Sequence, residues 1–136
     1  MKKELNRSNT AVYNVGYHLI WCPKYRKEVL VGRLRKRLAE LFNERALQMG
    51  VSIVELEIMP DHIHLFIKSN PRIAPNTVIK HLKGYSSRVL RLELSKQLSR
   101  MPVLWTRSYY CESVGHISED TIRKYIASQG KSERPK

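Results

Sequence analysis

In the stretch Pro60-Asp61-His62-Ile63-His64-Leu65-Phe66-Ile67, apolar and imidazole side chains alternate. Read as a β-strand, whose side chains point to opposite faces in turn, it sets Ile63, Leu65 and Ile67 against a core and leaves His62, His64 and Phe66 on the other face. Val51 to Met59 also alternates, with Val51 and Ile53 in phase with Glu55 and Glu57, and a Pro60-Asp61 turn predicts that it forms a hairpin with the histidine strand. Ala11 to Cys22 predicts another strand, with Tyr13, Val15, Tyr17, Leu19 and Trp21 on one face and Val12, His18 and Ile20 on the other. After Leu104-Trp105-Thr106-Arg107-Ser108, the aromatic content of Tyr109 to Val114 predicts a fourth strand, ended by Gly115.

The helical period appears three times. From about Gly32 to Met49, Leu34, Leu38, Leu41 and Phe42 make one stripe, interrupted by Arg45 and stopped by Gly50. From about Thr77 to Leu94, Val78, Ile79, Leu82, Tyr85 and Val89 gather on one side, with Lys80, Lys83, Arg88 and Arg91 opposite as a basic rail. Ser118, followed by Glu119 and Asp120, caps a third helix from about Glu119 to Gln129 that Gly130 terminates. On it Tyr125 and Gln129 are four apart and so side by side. The order strand, helix, strand, strand, helix, strand, helix predicts one α+β domain over residues 1–136, of the ferredoxin-like or RRM-like split βαβ type. Its four-stranded antiparallel sheet carries two helices on one face, the histidine strand is central, and a C-terminal helix carries Tyr125. Residues 1–9 and 131–136 are expected to be flexible, and there is no internal repeat.

Composition adds a partner. The 136 residues include 25 Lys+Arg against 12 Asp+Glu, a net charge of +13 and a pI near 10.0, which points first to nucleic acid. No apolar stretch approaches the length of a membrane span and the Lys-rich start lacks a signal-peptide core, so a cytoplasmic protein is expected. Cys22 and Cys111 have no C-x-x-C partner, which argues against a zinc knuckle and for two reduced, semi-buried thiols. Lys24-Tyr25-Arg26-Lys27 could grip phosphates and stack a base, or be a solvated loop; the basic rail is the second candidate for nucleic-acid contact.

On a strand, His62 and His64 lie roughly 7 Å apart at Cα, near enough to share a divalent ion, although neighbouring histidines can equally be solvated or hydrogen-bonded. Together with the helix that bears Tyr125, they can be assembled into a phosphoryl-transfer site. An ion held by His62, His64 and a third oxygen ligand would polarise a scissile phosphate, and the Tyr125 hydroxyl would attack it. One phosphodiester would replace another, so the absence of a nucleotide-binding G-x-x-x-x-G-K-[ST] loop is consistent. Two rivals stand beside this: a non-catalytic single-stranded RNA- or DNA-binding module of RRM-like fold, and a metal-dependent phosphodiesterase that uses water. The first needs stacking aromatics on the central strands, where this chain has histidines.

The chain resembles the single-tyrosine HUH transposases of the smallest bacterial insertion sequences, the TnpA type that moves single-stranded DNA. The resemblance is carried by His18-Leu19-Ile20-Trp21 with Lys24-Tyr25-Arg26, by Pro60-Asp61-His62-Ile63-His64-Leu65 and by Leu82-Lys83-Gly84. It continues through Trp105, Glu112-Ser113-Val114-Gly115, and Ile122-Arg123-Lys124-Tyr125-Ile126 ending in Gln129, nearly the whole chain. It implies His62 and His64 as metal ligands, Tyr125 as nucleophile and Gln129 as a further ligand to Mg²⁺ or Mn²⁺, with Asp61 less suited to that role. It further implies cleavage and rejoining of single-stranded DNA through a 5′-phosphotyrosine, recognition of hairpins at element ends, and a homodimer that exchanges the tyrosine helix about a hinge at Gly115. Relatives acting on dispersed palindromic repeats are usually longer.

Overall fold

A computed structural model describes residues 15–114 continuously, together with the backbone of Asn6–Arg7 and Val12–Tyr13 and the single helical residue Ala127. The predicted helix over residues 119–129, with Tyr125 and Gln129, lies outside the described residues, as do Gly115 and His116. Two short strands, β1 (Asn6–Arg7) and β2 (Val12–Tyr13), pair antiparallel with each other. The strand expected from Ala11 to Cys22 is therefore assigned in two parts, and its second part, β3 (Val15–Trp21), enters the main sheet.

That sheet has the order β4-β5-β3-β6, formed with β4 (Ser52–Met59), β5 (His62–Ser69) and β6 (Tyr110–Ser113), all antiparallel. It is the split βαβ arrangement expected, with the histidine strand central. Helix α1 (Gly32–Met49) buries Leu34, Leu38, Leu41, Phe42 and Ala46, and helix α2 (Pro75–Glu93) buries Val78, Ile79, Leu82 and Leu90. Both pack on the face of the sheet that presents Leu19, Trp21, Ile63, Leu65 and Ile67. Helix α2 begins two residues earlier than its hydrophobic pattern, because Pro75 occupies the first turn, where a missing N–H and a preset φ do no harm.

Helix α1 ends as its sequence indicates. Gly50 takes φ 72°, its N–H bonds Leu47 O at 3.1 Å, and Val51 N–H bonds Ala46 O at 2.9 Å, the paired closure of a left-handed helix stop. A Cβ at Gly50 would meet nothing within 4 Å, so the cost of adding one is purely conformational. Gly50→Ala is accordingly expected to lower stability by about 1 kcal/mol, read as a lower urea midpoint at unchanged m-value.

Two features escape simple periodicity. Strand β4 carries a bulge between Ile53 and Glu55: Ile53 pairs with Ile67, Glu55 with Phe66 and Glu57 with His64. One extra residue inverts the alternation, so Ile53 faces the core while Glu55 and Glu57 face the histidine side. The second is the segment after α2, which sends Leu98, Met101, Leu104 and Trp105 into the core before β6 begins. Trp105 stacks on Phe42 at 6.4 Å and meets Trp21 edge-on at 6.0 Å, and its Nε1–H donates to Ser86 Oγ at 3.1 Å. Burying an indole without a partner for its N–H would be costly, and Ser86 supplies one from α2. Cys22 is buried, whereas Cys111, expected to be semi-buried, is exposed on the short edge strand β6; both are free thiols.

Candidate functional site

The second face of the sheet gathers its chemistry from four strands. In register across it stand Glu57 opposite His64, Ile20 opposite His64 on the other side, and Glu112 opposite His18. The His62 and His64 rings lie 4.8 Å apart between centroids, nearly perpendicular to each other. His18 stacks on His64 at 5.8 Å and 12°, and Tyr110 meets His18 edge-on at 6.1 Å. Gly16 makes room for the neighbouring Phe66 ring, since a Cβ there would lie 3.0 Å from Phe66 Cζ. Phe66 itself is fully buried and so is not available as a stacking platform.

The two predicted histidines are 3% and 0% exposed. His62 Nδ1 lies 2.7 Å from Asp61 Oδ1, and Asp61 Oδ2 in turn accepts from Arg26 Nη2 at 2.9 Å. Burial would raise the Asp61 pKa, but the hydrogen bond from His62 and the charge of Arg26 outweigh it and hold the carboxyl below its ordinary value. His62 Nδ1 faces that carboxylate, and its Nε2 is buried with no hydrogen-bond partner among the described residues. Both ring nitrogens of His64 are in the same condition. Burial, reinforced by the neighbouring His62 and His18, lowers the His64 pKa to about 4, so this ring is neutral at physiological pH. Two buried imidazoles with unused nitrogens, one of them held by a carboxylate, form a donor set suited to a divalent cation. Among the described residues no group of three or more His, Cys, Asp or Glu side chains comes together as a complete metal site. Asp61 binds His62 through Oδ1 and Arg26 through Oδ2.

His18 lies 44 residues before His62 in the sequence. Only the antiparallel register of β3 on β5 brings it against His64. Arg26, expected as a phosphate contact, is part-exposed and donates to Asp61 through Nη2.

The candidate nucleic-acid residues divide by environment. Tyr25 is 82% exposed, with Lys24 Nζ 5.6 Å from its ring, and Lys27 is exposed beside it. Lys80 and Arg88 are exposed on α2, Arg88 lying over the Tyr85 ring at 5.6 Å. Lys83 is half-buried: its Nζ donates to Thr106 O at 2.7 Å and Ser108 O at 3.2 Å and sits over Trp21. Arg91 Nη2 donates to Met101 O at 2.9 Å. The rail thus splits, with Lys83 and Arg91 stapling the 101–109 segment to α2 and Lys80 and Arg88 facing outward. Between α2 and that segment runs a groove of about 430 Å³ lined by Lys80, Ser87, Arg91, Arg107 and Tyr109 among others.

Fold and site together define a ferredoxin-like domain with a histidine pair built into the central strand of its sheet. Residues 11–129 match the family described as IS200-like transposases, and the chain belongs to that family. It is 36% identical over 132 residues to the ISDra2 transposase TnpA of Deinococcus radiodurans, covering 96% of this chain and 94% of that protein. The transposase of the insertion element IS200 from Salmonella typhimurium is 30% identical over 119 residues, or 86% of this chain and 78% of that one. Among solved structures, a candidate transposase from Deinococcus radiodurans R1 superposes with a TM-score of 0.74 at 34% identity, over 91% of this chain and 97% of the other. A REP-associated tyrosine transposase bound to a REP hairpin has the same fold, with a TM-score of 0.64 at 10% identity over 92% of this chain and 74% of that one. The protein is therefore a transposase of the IS200 family, and no helix among its described residues is long and apolar enough to cross a membrane.

Proposed function

We propose that this transposase cleaves and rejoins single-stranded DNA at the ends of an insertion sequence, using Tyr125 as nucleophile beside a divalent Mg²⁺ or Mn²⁺ held by His62, His64 and Gln129. The observation that carries the reading is the histidine pair itself, buried, with His62 oriented by Asp61 and the Nε2 nitrogens of both rings unused by the described residues. When bound, the ion would polarise the scissile phosphate and offset the charge that develops on its oxygens. The chain supplies the rest. His64 stays unprotonated because it is buried, and the Asp61 carboxylate holds the His62 ring at its Nδ1 edge. The Tyr125 oxygen, losing its proton, attacks phosphorus; the bond to the 3′ oxygen breaks, and that oxygen leaves as a hydroxyl while the 5′ phosphate stays on tyrosine. A phenol with a pKa near 10 is also a competent leaving group, so a second 3′ hydroxyl can reverse the step and join a new strand.

The DNA partner in this reading is a single strand bearing a hairpin near each element end. Its phosphates are contacted by the part-exposed Lys24 and the exposed Lys27, Lys80 and Arg88, and a base stacks on Tyr25. The enzyme acts as a homodimer whose tyrosine helices complete each other's sites, in the cytoplasm where the element's DNA resides. The test is incubation with labelled single-stranded DNA carrying the native flanking hairpin, with Mn²⁺, with Mg²⁺ and with a chelator. A denaturation-resistant protein–DNA complex is expected with either metal and none with chelator. Equal adduct in chelator would remove the metal from the mechanism, and tight binding without adduct would favour a plain nucleic-acid-binding module.

A further inference from the structure

The turn Lys24–Arg26 contains two consecutive non-glycine residues in the left-handed region, Tyr25 at φ 60° and Arg26 at φ 52°. Such residues persist only where the surroundings over-determine them. Here the turn is tied down on both sides: Arg26 N–H bonds Pro23 O at 2.9 Å, Lys24 N–H bonds Leu104 O at 2.8 Å, and Pro23 bridges to Trp105. The conformation has two results. Tyr25 is thrown out into solvent, and the Arg26 guanidinium is brought to Asp61, 35 residues away in sequence.

We propose that Asp61, clamped by Arg26, is a positioning residue for His62: it fixes the ring as the Nδ1–H tautomer and so presents Nε2 to the metal. The assignment rests on the metal reading given above and deepens it. Three features support it. The chain Arg26 Nη2 to Asp61 Oδ2 at 2.9 Å and Asp61 Oδ1 to His62 Nδ1 at 2.7 Å is continuous. Each carboxylate oxygen accepts one of these bonds, so Asp61 is held on one side and holds His62 on the other. The nitrogen left over, Nε2, is buried with no hydrogen-bond partner among the described residues, on the same face as the two unpartnered nitrogens of His64.

The test begins with the full-length protein free of metal. Long-range proton–nitrogen NMR at about pH 8, where imidazoles are neutral, should show His62 protonated on Nδ1. Asp61→Ala should release Nε2–H, and Asp61→Asn, whose amide oxygen can still accept, should largely restore Nδ1–H. Titration with Mn²⁺ should then show about 10- to 100-fold weaker binding for Asp61→Ala and a smaller loss for Asp61→Asn, with unfolding midpoints recorded to confirm that each variant is folded. Should Asp61→Ala fail to fold, Arg26→Ala serves for the same pair of readings, with a mixture of tautomers expected. An Nε2–H tautomer in the parent protein overturns the assignment, as does unchanged Mn²⁺ affinity in Asp61→Ala when His62→Ala has lost it. Mn²⁺ uptake equally weak in the parent and in His62→Ala overturns the metal reading and the assignment together, even if the tautomer is as expected.

Discussion

Tyr125→Phe should bind a hairpin-bearing single strand as the parent protein does and form no covalent complex with it. The substitution removes one oxygen and leaves the ring, so packing and surface charge, and with them the affinity for phosphates, are preserved. Every product of the proposed reaction passes through the Tyr125 oxygen, and cleavage should therefore fall by at least about 10³-fold, the scale on which nucleophile removal acts in covalent catalysis. The two quantities are separable: binding by gel shift at fixed salt, and adduct by denaturing electrophoresis with end-labelled DNA. Binding should weaken steeply with salt in both proteins, since their +13 charge is the same. Persistent cleavage by Tyr125→Phe at the parental rate would mean that water is the nucleophile, and the tyrosine mechanism would be wrong.

Acid should destabilise the metal-free protein well before its carboxylates protonate. His64 has an ordinary pKa of 6.5 when unfolded and about 4 when folded, because burial first, and then the adjacent His62 and His18, oppose its charge. Between these values the unfolded chain binds more protons than the native one, so stability is intact above pH 6.5 and falls as pH drops towards 4. The loss from this one group is on the order of 3 kcal/mol. His18, whose pKa burial also lowers against the pull of Glu112, adds to it with the same sign. Asp61, whose pKa is also lowered, acts with the same sign, but its contribution is present above its ordinary value of 3.8 and is lost only below that, so it does not blur the window. Urea unfolding in chelator at a series of pH values from 7.5 to 4 reads the slope directly. His64→Leu should keep neutral-pH stability and lose most of the slope; a parent profile that is flat over this range would show that His64 is not held neutral by burial.

Much of this molecule is legible in one dimension. The stripes Leu34-Leu38-Leu41-Phe42 and Val78-Ile79-Leu82 and the alternation in Ile63-Leu65-Ile67 repeat at the helix and strand periods, and local periodicity is a property of neighbours in sequence. Gly50 stops α1 for an equally local reason, its φ of 72°. The placing of His62 and His64 on one face follows from strand geometry alone. What needed the fold were the relations between strands. Pure alternation puts Glu55 and Glu57 with Ile53 on the core side; a bulge, invisible to a period of two, carries them to the histidine side. The contact of His18 with His64 depends on which residues of β3 and β5 pair, and antiparallel register is settled by the burial of Leu19 and Trp21 opposite Leu65 and Ile63, an energy of the assembled core. Likewise Arg26 and Lys83 read as free cations in a chain with a net charge of +13, and whether a cation meets solvent or a carboxylate or carbonyl 23 to 35 residues away is decided by distances that only tertiary structure creates.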